Sequence, residues 1–305
     1  MKIAITGGSG ASGRIIIRAL AKAGHTLSNL DQVRCEGLPA RFVEISLTDY
    51  SQISRALEGH DAVVHFGSIP YPDNDYASAA DTFNNNTTAT FNVFNACAAH
   101  RIKRVVWASS ETVFGFPFQN YAPPSAPVSE DMTAPQNGYA ISKLLCEQLA
   151  NMICGLNPGM TIIGLRLSNV LYADDLGDES DPVPLNRQRD TYRRLPDYWA
   201  DVTSRDFNLW NYIDARDVAT AVECALVADV IGAHCCSIIA NDTLMNRPTR
   251  ELVAERFENM AIDLHMGEFQ AMVSNERARH LIGFAPRWSW REIPEIQAIM
   301  SGESE

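Results

Sequence analysis

The pentapeptide YAISK sets Tyr139 and Lys143 four residues apart. On a helix this spacing brings both side chains to one face, one turn from each other. A tyrosine phenol ordinarily titrates near 10. An ammonium about 4 Å away, at an effective dielectric near 20, favours the phenolate by roughly 4 kcal/mol, which lowers its pKa by about 3. Such a couple can take a proton from a substrate hydroxyl near neutral pH while hydride leaves the same carbon. The same two residues can also be plain neighbours on a helix face. The rest of the chain must decide between the two.

Two other stretches bear on the choice. TGGSGASG, residues 6–13, follows an apolar strand, KIAIT (2–6), and opens a helix. In that context Gly7 permits a tight turn, Gly10 lets backbone approach a pyrophosphate, and Gly13 lets helix pack on strand; the helix N-terminus faces the anion. The spacing is TGxxGxxG rather than GxGxxG. Asp31, near the end of the next strand, is where a carboxylate would bind the two adenosine ribose hydroxyls. It would repel a 2′-phosphate, so NAD is expected rather than NADP. Arg34 nearby keeps NADP open, and Asp31 has a plainer reading as a solvated turn residue. WASSETVFG (107–115) leaves a strand at its carboxyl end and sets Ser110 over the same crevice.

The elements around these residues alternate. ASGRIIIRALAKAG (11–24) has helical spacing, and HTLSNL (25–30), RFVEI (41–45), DAVVHF (61–66), KRVVWA (103–108) and TIIGLRL (161–167) read as strands. Asp49 with Gln52 forms a capping-box pattern for a helix through Leu57. Longer helical stretches run from about Ala79 to Ala99 and from about Gly138 to Ile153. This alternation implies an α/β fold, a doubly wound parallel sheet with ligands beyond the carboxyl ends of its strands. Two long stretches break the pattern: the proline-rich 116–136 and the charge-dense 173–206, both candidates for lid and substrate pocket. After Asp214 come a helix to about Leu226, a strand CCSII (235–239), a helix from Thr249 to Phe257, and a last helix, Asn275 to Ile282, closed by Gly283.

Composition narrows the class. The 305 residues carry a formal net charge of −12, which repels phosphate backbones, so no nucleic-acid partner is expected. No apolar run is long enough to span a bilayer, and MKIAITGG reads as a strand rather than a signal peptide. The seven cysteines contain no CxxC, and the seven histidines have neither HxxxH nor HExxH spacing. Reduced thiols in a cytoplasmic protein without a metal site are expected.

TGxxGxxG, Ser110 and YxxxK, in this order and spacing, resemble the extended short-chain dehydrogenase/reductase family, the NAD-dependent epimerase/dehydratase group. NNNTTATFN around Asn86, SED before YAISK, LRLSNV (165–170), IDARDVATA (213–221) and SNERARHLIGFAPRWS (274–289) add to the likeness, which covers nearly the whole chain. The resemblance implies a Rossmann domain at 1–168 and a mainly substrate-binding region at 169–305, with 207–240 returning to the core sheet. It implies Ser110, Tyr139 and Lys143 as catalytic residues, with Lys143 also bonding the nicotinamide ribose. For NAD it implies Gly7, Ser9, Gly10, Ala11, Ser12, Gly13, Asp31, Ser46, Leu47, Phe66, Gly67, Ser68, Asn86 and Leu167. For substrate it implies Ser110 and Asn169. It also implies a homodimer built on the helices from Ala79 and Gly138. The family often has aspartate-hydrophobic at the adenine, where this chain has Ser46-Leu47; a looser grip on an exchanging cofactor is expected.

Three features bear on the reaction. Sugar-nucleotide dehydratases of the family carry Asp-Glu after the active-site Ser/Thr, whereas this chain has Glu111-Thr112, which disfavours elimination. Glu111 is then either a substrate-hydroxyl partner or a solvent-facing loop residue. Sugar-nucleotide enzymes usually carry RDF or RDY seven residues before the aspartate of IDARDVA, but that count from Asp217 reaches Trp210, and SRDF (204–207) is five residues out of step. Last, the stretch between Asn169 and Asp214 is short for a nucleotide pocket, while HFGS (65–68) and ASSETVFGF (108–116) resemble stretches of uronate dehydrogenases. The expected activity is NAD-dependent oxidation of a hydroxyl on a free sugar, sugar acid or polyol. Arg187, Arg189, Arg193 and Arg194 are either partners for a carboxylate or phosphate or simply solvated. A 4-epimerase of sugars or nucleotide sugars, and a non-catalytic NAD(P)-sensing protein, are the alternatives.

Overall fold

The computed structural model describes residues 1–70, 77–118, 122–172, 192–294 and 296–297. Strand β1 (Lys2–Thr6) leads into helix α1 (Ala11–Lys22), followed by β2 (Thr26–Asp31), β3 (Arg41–Glu44), α2 (Tyr50–Leu57) and β4 (Ala62–His65). Then come α3 (Ala79–Ala99), β5 (Arg104–Ser110), β6 (Ser125–Ala126), α4 (Gly138–Leu156), β7 (Thr161–Leu167) and β8 (Val170–Leu171). The chain continues through α5 (Leu195–Ala200), β9 (Ile213–Asp214), α6 (Ala215–Val227), β10 (Gly232–Ile238), α7 (Thr249–Arg256), β11 (Ala261–Ile262) and α8 (Glu276–Ile282).

Seven strands form one parallel sheet in the order β10-β7-β5-β4-β1-β2-β3. The order reverses between β1 and β4, and a crevice opens there beyond the strand ends. The central strands are largely apolar because helices cover both faces; every residue of β4 is buried. On one face, Ile16, Ile17 and Leu20 of α1 and Val218 and Val222 of α6 pack onto Ile3, Ile5, Val106 and Ile163. On the other, Ile53 of α2, Val93 and Phe94 of α3 and Cys146 and Ala150 of α4 pack onto Ala4, Val63, Val105 and Ile162. A third apolar cluster lies apart from both, built from Phe114, Phe116, Leu195, Trp210, Tyr212, Met272 and Trp290.

Short polar side chains start the helices. Ser78 and Asp81 close a reciprocal capping box on α3, Asn137 caps α4 through Ala140 N–H, and Asp214 caps α6. Asp49 caps α2 as the sequence implies: its Oδ1 accepts the Ser51 and Gln52 N–H groups, and the Gln52 amide turns back to it, Nε2 donating to Asp49 Oδ2 at 2.9 Å while Oε1 accepts Ser46 N–H at 2.9 Å. β7 ends at Leu167 as expected, β5 runs two residues beyond Ala108 to Ser110, and α4 runs three residues beyond Ile153. Of the charge-dense stretch, Arg187 and Arg189 lie outside the described residues, as does the side chain of Arg193. Arg194 stacks on the ring of Tyr198, 5.2 Å from its centroid.

Candidate active site

The glycine loop is held by its own close contacts. Gly7 has φ +69°, and a Cβ there would stand 2.6 Å from Gly67 N; a Cβ on Gly13 would stand 2.2 Å from Gly7 O. Both positions exclude any side chain, so β1, α1 and the exit of β4 close onto one another. Gly10 precedes α1 as its N-cap and supplies no side-chain cap, an uncapped helix start of the kind that suits an anion. Ser12 Oγ also meets Tyr172 OH at 2.8 Å.

Asp31 is wired into this loop rather than loosely solvated. Its carboxylate accepts Ser9 N–H at 3.0 Å and Gln32 N–H at 2.7 Å. Asn29 donates to Ser9 Oγ and Arg14 to Ser9 O, which fixes the turn from behind. Arg34 is ion-paired with Glu36 at 2.9 Å, so its charge is already matched. Leu47 reaches Gly67, where an added Cβ would meet its Cδ1 at 2.3 Å, and Asn92 donates to Leu47 O. Ser46 Oγ bonds Thr48 Oγ1. Phe66 and Ser68 flank Gly67 at the exit of β4, both half-buried. A glycine-lined cradle, an uncapped helix start and a carboxylate at the tip of β2 are together what a dinucleotide requires, and NAD fits these residues.

Asn86 is buried, and both ends of its amide are taken by Ile69: its Oδ1 accepts Ile69 N–H at 2.8 Å and its Nδ2 donates to Ile69 O at 3.0 Å. Its position is that of a brace for the segment after β4.

Ser110 is the last residue of β5 and caps a short 3-10 turn over Glu111–Phe114. Its Oγ accepts Thr112 N–H at 3.2 Å and the Thr112 hydroxyl at 3.0 Å, so its own proton remains to be donated outward. Tyr139 sits in the first turn of α4 and is 6% exposed. Lys143, one turn on, is 4% exposed; its ammonium stands 5.4 Å from the centre of the Tyr139 ring. It donates to Ala108 O at 2.8 Å and to Ser68 Oγ at 3.3 Å. Burial pulls the Lys143 ammonium down to about 8, with Cys146 acting weakly the other way. His65, in the same interior, is pushed down to about 3 by burial and by the charge of Lys143, and is held neutral between Thr6 and Thr90.

α4 is anchored beneath the couple by an ionic lattice. Glu147, one turn beyond Lys143, accepts Ser109 Oγ–H at 2.7 Å and a two-pronged bond from Arg166 on β7 at 2.9 and 2.7 Å. Arg166 continues to Glu130 O, and the Glu130 carboxylate accepts Ser237 N–H and Arg277 N–H.

Glu111 is buried, which overturns the solvent-facing alternative. Asn208 donates to its Oε1 at 2.9 Å and Ser168 to its Oε2 at 2.6 Å. Burial pushes its carboxyl up to about 7, opposed by those two bonds and by the charge of Arg205. By residue count SRDF stays five positions out of step, and Arg205 comes within electrostatic reach of Glu111 because the segment loops. Residues Val202–Asn208 wind as a 3-10 turn, and Leu209 and Trp210 take left-handed φ values of 57° and 52°. Trp210 therefore turns into the apolar cluster and donates to Val202 O, while Arg205 faces Glu111 and covers the rings of Tyr198 and Phe207. Asn169 Nδ2 is buried without a hydrogen-bond partner among the described residues, beside Leu167 at the end of β7. Ser168, Asn208 and Thr112 are site neighbours that sequence reasoning missed, since no spacing pattern marks them.

Among the described residues no group of three or more His, Cys, Asp or Glu could hold a metal ion, and no helix is long and apolar enough to cross a membrane. The family model of the NAD dependent epimerase/dehydratase family matches residues 3–234. The chain belongs to this family. A UDP-glucose 4-epimerase of Azospirillum brasilense is 34% identical over 193 residues, 60% of this chain and 53% of that one; the match spans about half of the relative. An L-arabinose 1-dehydrogenase (NAD(P)(+)) of Haloferax volcanii is 30% identical over 190 residues, 59% of this chain and 71% of the relative. A short-chain dehydrogenase/reductase superfamily protein of Agrobacterium tumefaciens, solved with bound NAD, has the same fold: TM-score 0.69, 22% identity, 99% and 98% of the two chains covered.

Proposed function

We propose that this member of the family is a net dehydrogenase that oxidises one hydroxyl of a small sugar-like substrate, a free sugar, sugar acid or polyol. The observation that carries the reading is the buried pair of Tyr139 and Lys143 on α4, whose ammonium bonds Ala108 O, two residues before Ser110, and Ser68, next to Gly67 of the glycine cradle, with Glu111-Thr112 in place of an Asp-Glu pair. In this reading the loop Gly7 to Gly13, with Asp31, Leu47 and Gly67, holds NAD, which supplies the hydride acceptor. Ser110 donates its one free proton to the substrate oxygen and fixes the hydroxyl. Tyr139 takes the hydroxyl proton as carbon–oxygen double-bond character grows, and the charge of Lys143 favours the phenolate that does so. Asn169 Nδ2, unmatched among the described residues, is the donor for a neighbouring substrate oxygen.

We assign residues 1–168 to cofactor binding and 169–305 mainly to substrate, with 207–240 rejoining the sheet. Exposed Phe91 on α3 and Ile141, Leu145, Met152 and Leu156 on α4 support a homodimer through these two helices, and seven free thiols support a cytoplasmic location. A second reading, 4-epimerisation of a nucleotide sugar, is favoured by one observation, the return of Arg205 to the site, where its cation could meet a diphosphate. NADH absorbance, on mixing the protein and NAD with free sugars, sugar acids, polyols and UDP- or dTDP-sugars, separates the two. Net NADH with a compound of the first three kinds supports the dehydrogenase. Inversion of a nucleotide sugar without NADH overturns it.

A further inference from the structure

Glu111 follows Ser110 directly in the chain, so a carboxyl group stands one residue from the hydroxyl assigned to the reacting oxygen. It is buried, and donors already surround it. Asn208 Nδ2 donates to one oxygen at 2.9 Å, Ser168 Oγ to the other at 2.6 Å, and Asn169 N–H donates as well. The charged group facing it is Arg205, whose guanidinium also covers the rings of Tyr198 and Phe207, 5.0 and 5.5 Å from their centres. On the proposed substrate side the protein therefore carries its own carboxylate, set against the cation that an anionic substrate would need.

The polar atoms left over there are neutral. Asn208 Nδ2 uses its two hydrogens on Glu111 Oε1 and Asn211 O, which fixes the orientation of the amide, since turning it round would set oxygen against oxygen. Its Oδ1 is buried without a partner among the described residues, and so is Asn169 Nδ2. These two residues both donate to Glu111, so the unmatched acceptor and the unmatched donor lie on either side of one carboxyl group. A hydroxyl, which donates and accepts at once, satisfies both atoms. A carboxylate has no proton for Asn208 Oδ1 and satisfies only one.

We propose that the site takes a neutral polyhydroxy substrate, an aldose or polyol, that Asn208 Oδ1 and Asn169 Nδ2 receive one of its hydroxyls, and that Glu111 excludes sugar acids. This rests on the dehydrogenase reading and narrows it. A sugar acid beside Glu111 sets two carboxylates against one guanidinium in a place shielded from water, so one of them must take up a proton or leave. Burial pushes the Glu111 carboxyl up to about 7. Below that pH Glu111 is protonated, the charge of Arg205 is open to an anion, and the exclusion weakens; above it the exclusion is in force.

The test compares pairs that differ only at the terminal carbon, galactose with galacturonate and glucose with glucuronate, as substrates of the wild-type protein with NAD. At about pH 8 the neutral member has the higher kcat/KM by at least about tenfold, and the margin narrows as pH falls to about 6. Titration of Tyr139 is common to both members and cancels in the ratio. Glu111→Gln keeps the shape and removes the charge; it cuts the margin about fivefold or more and abolishes its pH dependence, whereas loss of a merely structural residue lowers both members alike. Binding of the same pairs to protein saturated with NADH, read by nucleotide fluorescence, needs no turnover and follows the same order. Acids oxidised as well as their neutral partners, or a margin that Glu111→Gln leaves unmoved, overturn the proposal and leave the dehydrogenase reading in place. If no compound yields net NADH, that reading fails by itself; a neutral sugar bound no more tightly than its acid, or neither bound, then refutes the charge preference separately.

Discussion

The two sides of the active-site crevice are built differently. On the cofactor side, Ser110, Tyr139 and Lys143 sit on a strand end and the first turns of a long helix, locked by Ser109, Glu147 and Arg166. On the substrate side, Glu111 is held by Ser168 and Asn208 from irregular turns that depend on two left-handed residues, Leu209 and Trp210. The first side fixes chemistry by regular geometry. In the proposed reading the second, which can differ without disturbing the sheet, sets what enters.

The largest effect that would break this division is on the cofactor side. Tyr139→Phe should lower turnover by about 10²–10⁴-fold while a fluorescence titration finds NAD binding nearly unchanged. A mutant as active as wild type would remove Tyr139 from the chemistry. Next is the lattice beneath it. Glu147→Ala leaves Arg166 buried without its carboxylate, and urea unfolding should record a loss of about 3–5 kcal/mol. A loss under about 1 kcal/mol, the range of a surface pair, would mean that α4 is held by apolar packing alone.

On the substrate side the signature is a pH dependence. The Glu111 carboxyl is raised from 4.5 to about 7 in the folded protein. Above pH 4.5 the unfolded chain loses this proton before the folded one does, so this group's contribution to stability is full below 4.5 and falls as pH rises toward 7. Glu111→Gln should flatten that fall in chemical-denaturation curves taken across the window. An unchanged slope would deny the burial of Glu111. A smaller effect is expected at the nucleotide tip. Asp31→Ala should weaken NAD by about tenfold through lost charged hydrogen bonds, and NADP less, in parallel titrations. An unaltered preference would reject Asp31 as the ribose ligand. The smallest is Arg34→Ala: its exposed pair with Glu36 is worth about 0–1 kcal/mol, so stability should barely move on thermal unfolding.

The same contrast explains what could be read beforehand. The strand Thr161–Leu167 and the helix Ala79–Ala99 match their sequence patterns to the residue, because periodic burial is written locally. The positions of Ser110 and of the Tyr139–Lys143 pair follow from two further elements whose patterns are equally local, β5 and α4. Arg205 and Asn208 could not be placed by counting residues, since a 3-10 turn and left-handed backbone at a leucine and a tryptophan carry no local signal. Nor did the sequence mark Glu111 as buried: its partners come from residues 168 and 208, far along the chain.

The account rests on net oxidation by the Tyr139 couple, and stoichiometry tests this most directly. Substrate consumed, NADH formed and protons released would be measured together in weakly buffered solution, for wild type and Tyr139→Phe. Equal amounts of all three in wild type, and almost none in the mutant, is the predicted result. Substrate converted to a stereoisomer with neither NADH nor protons appearing would contradict it.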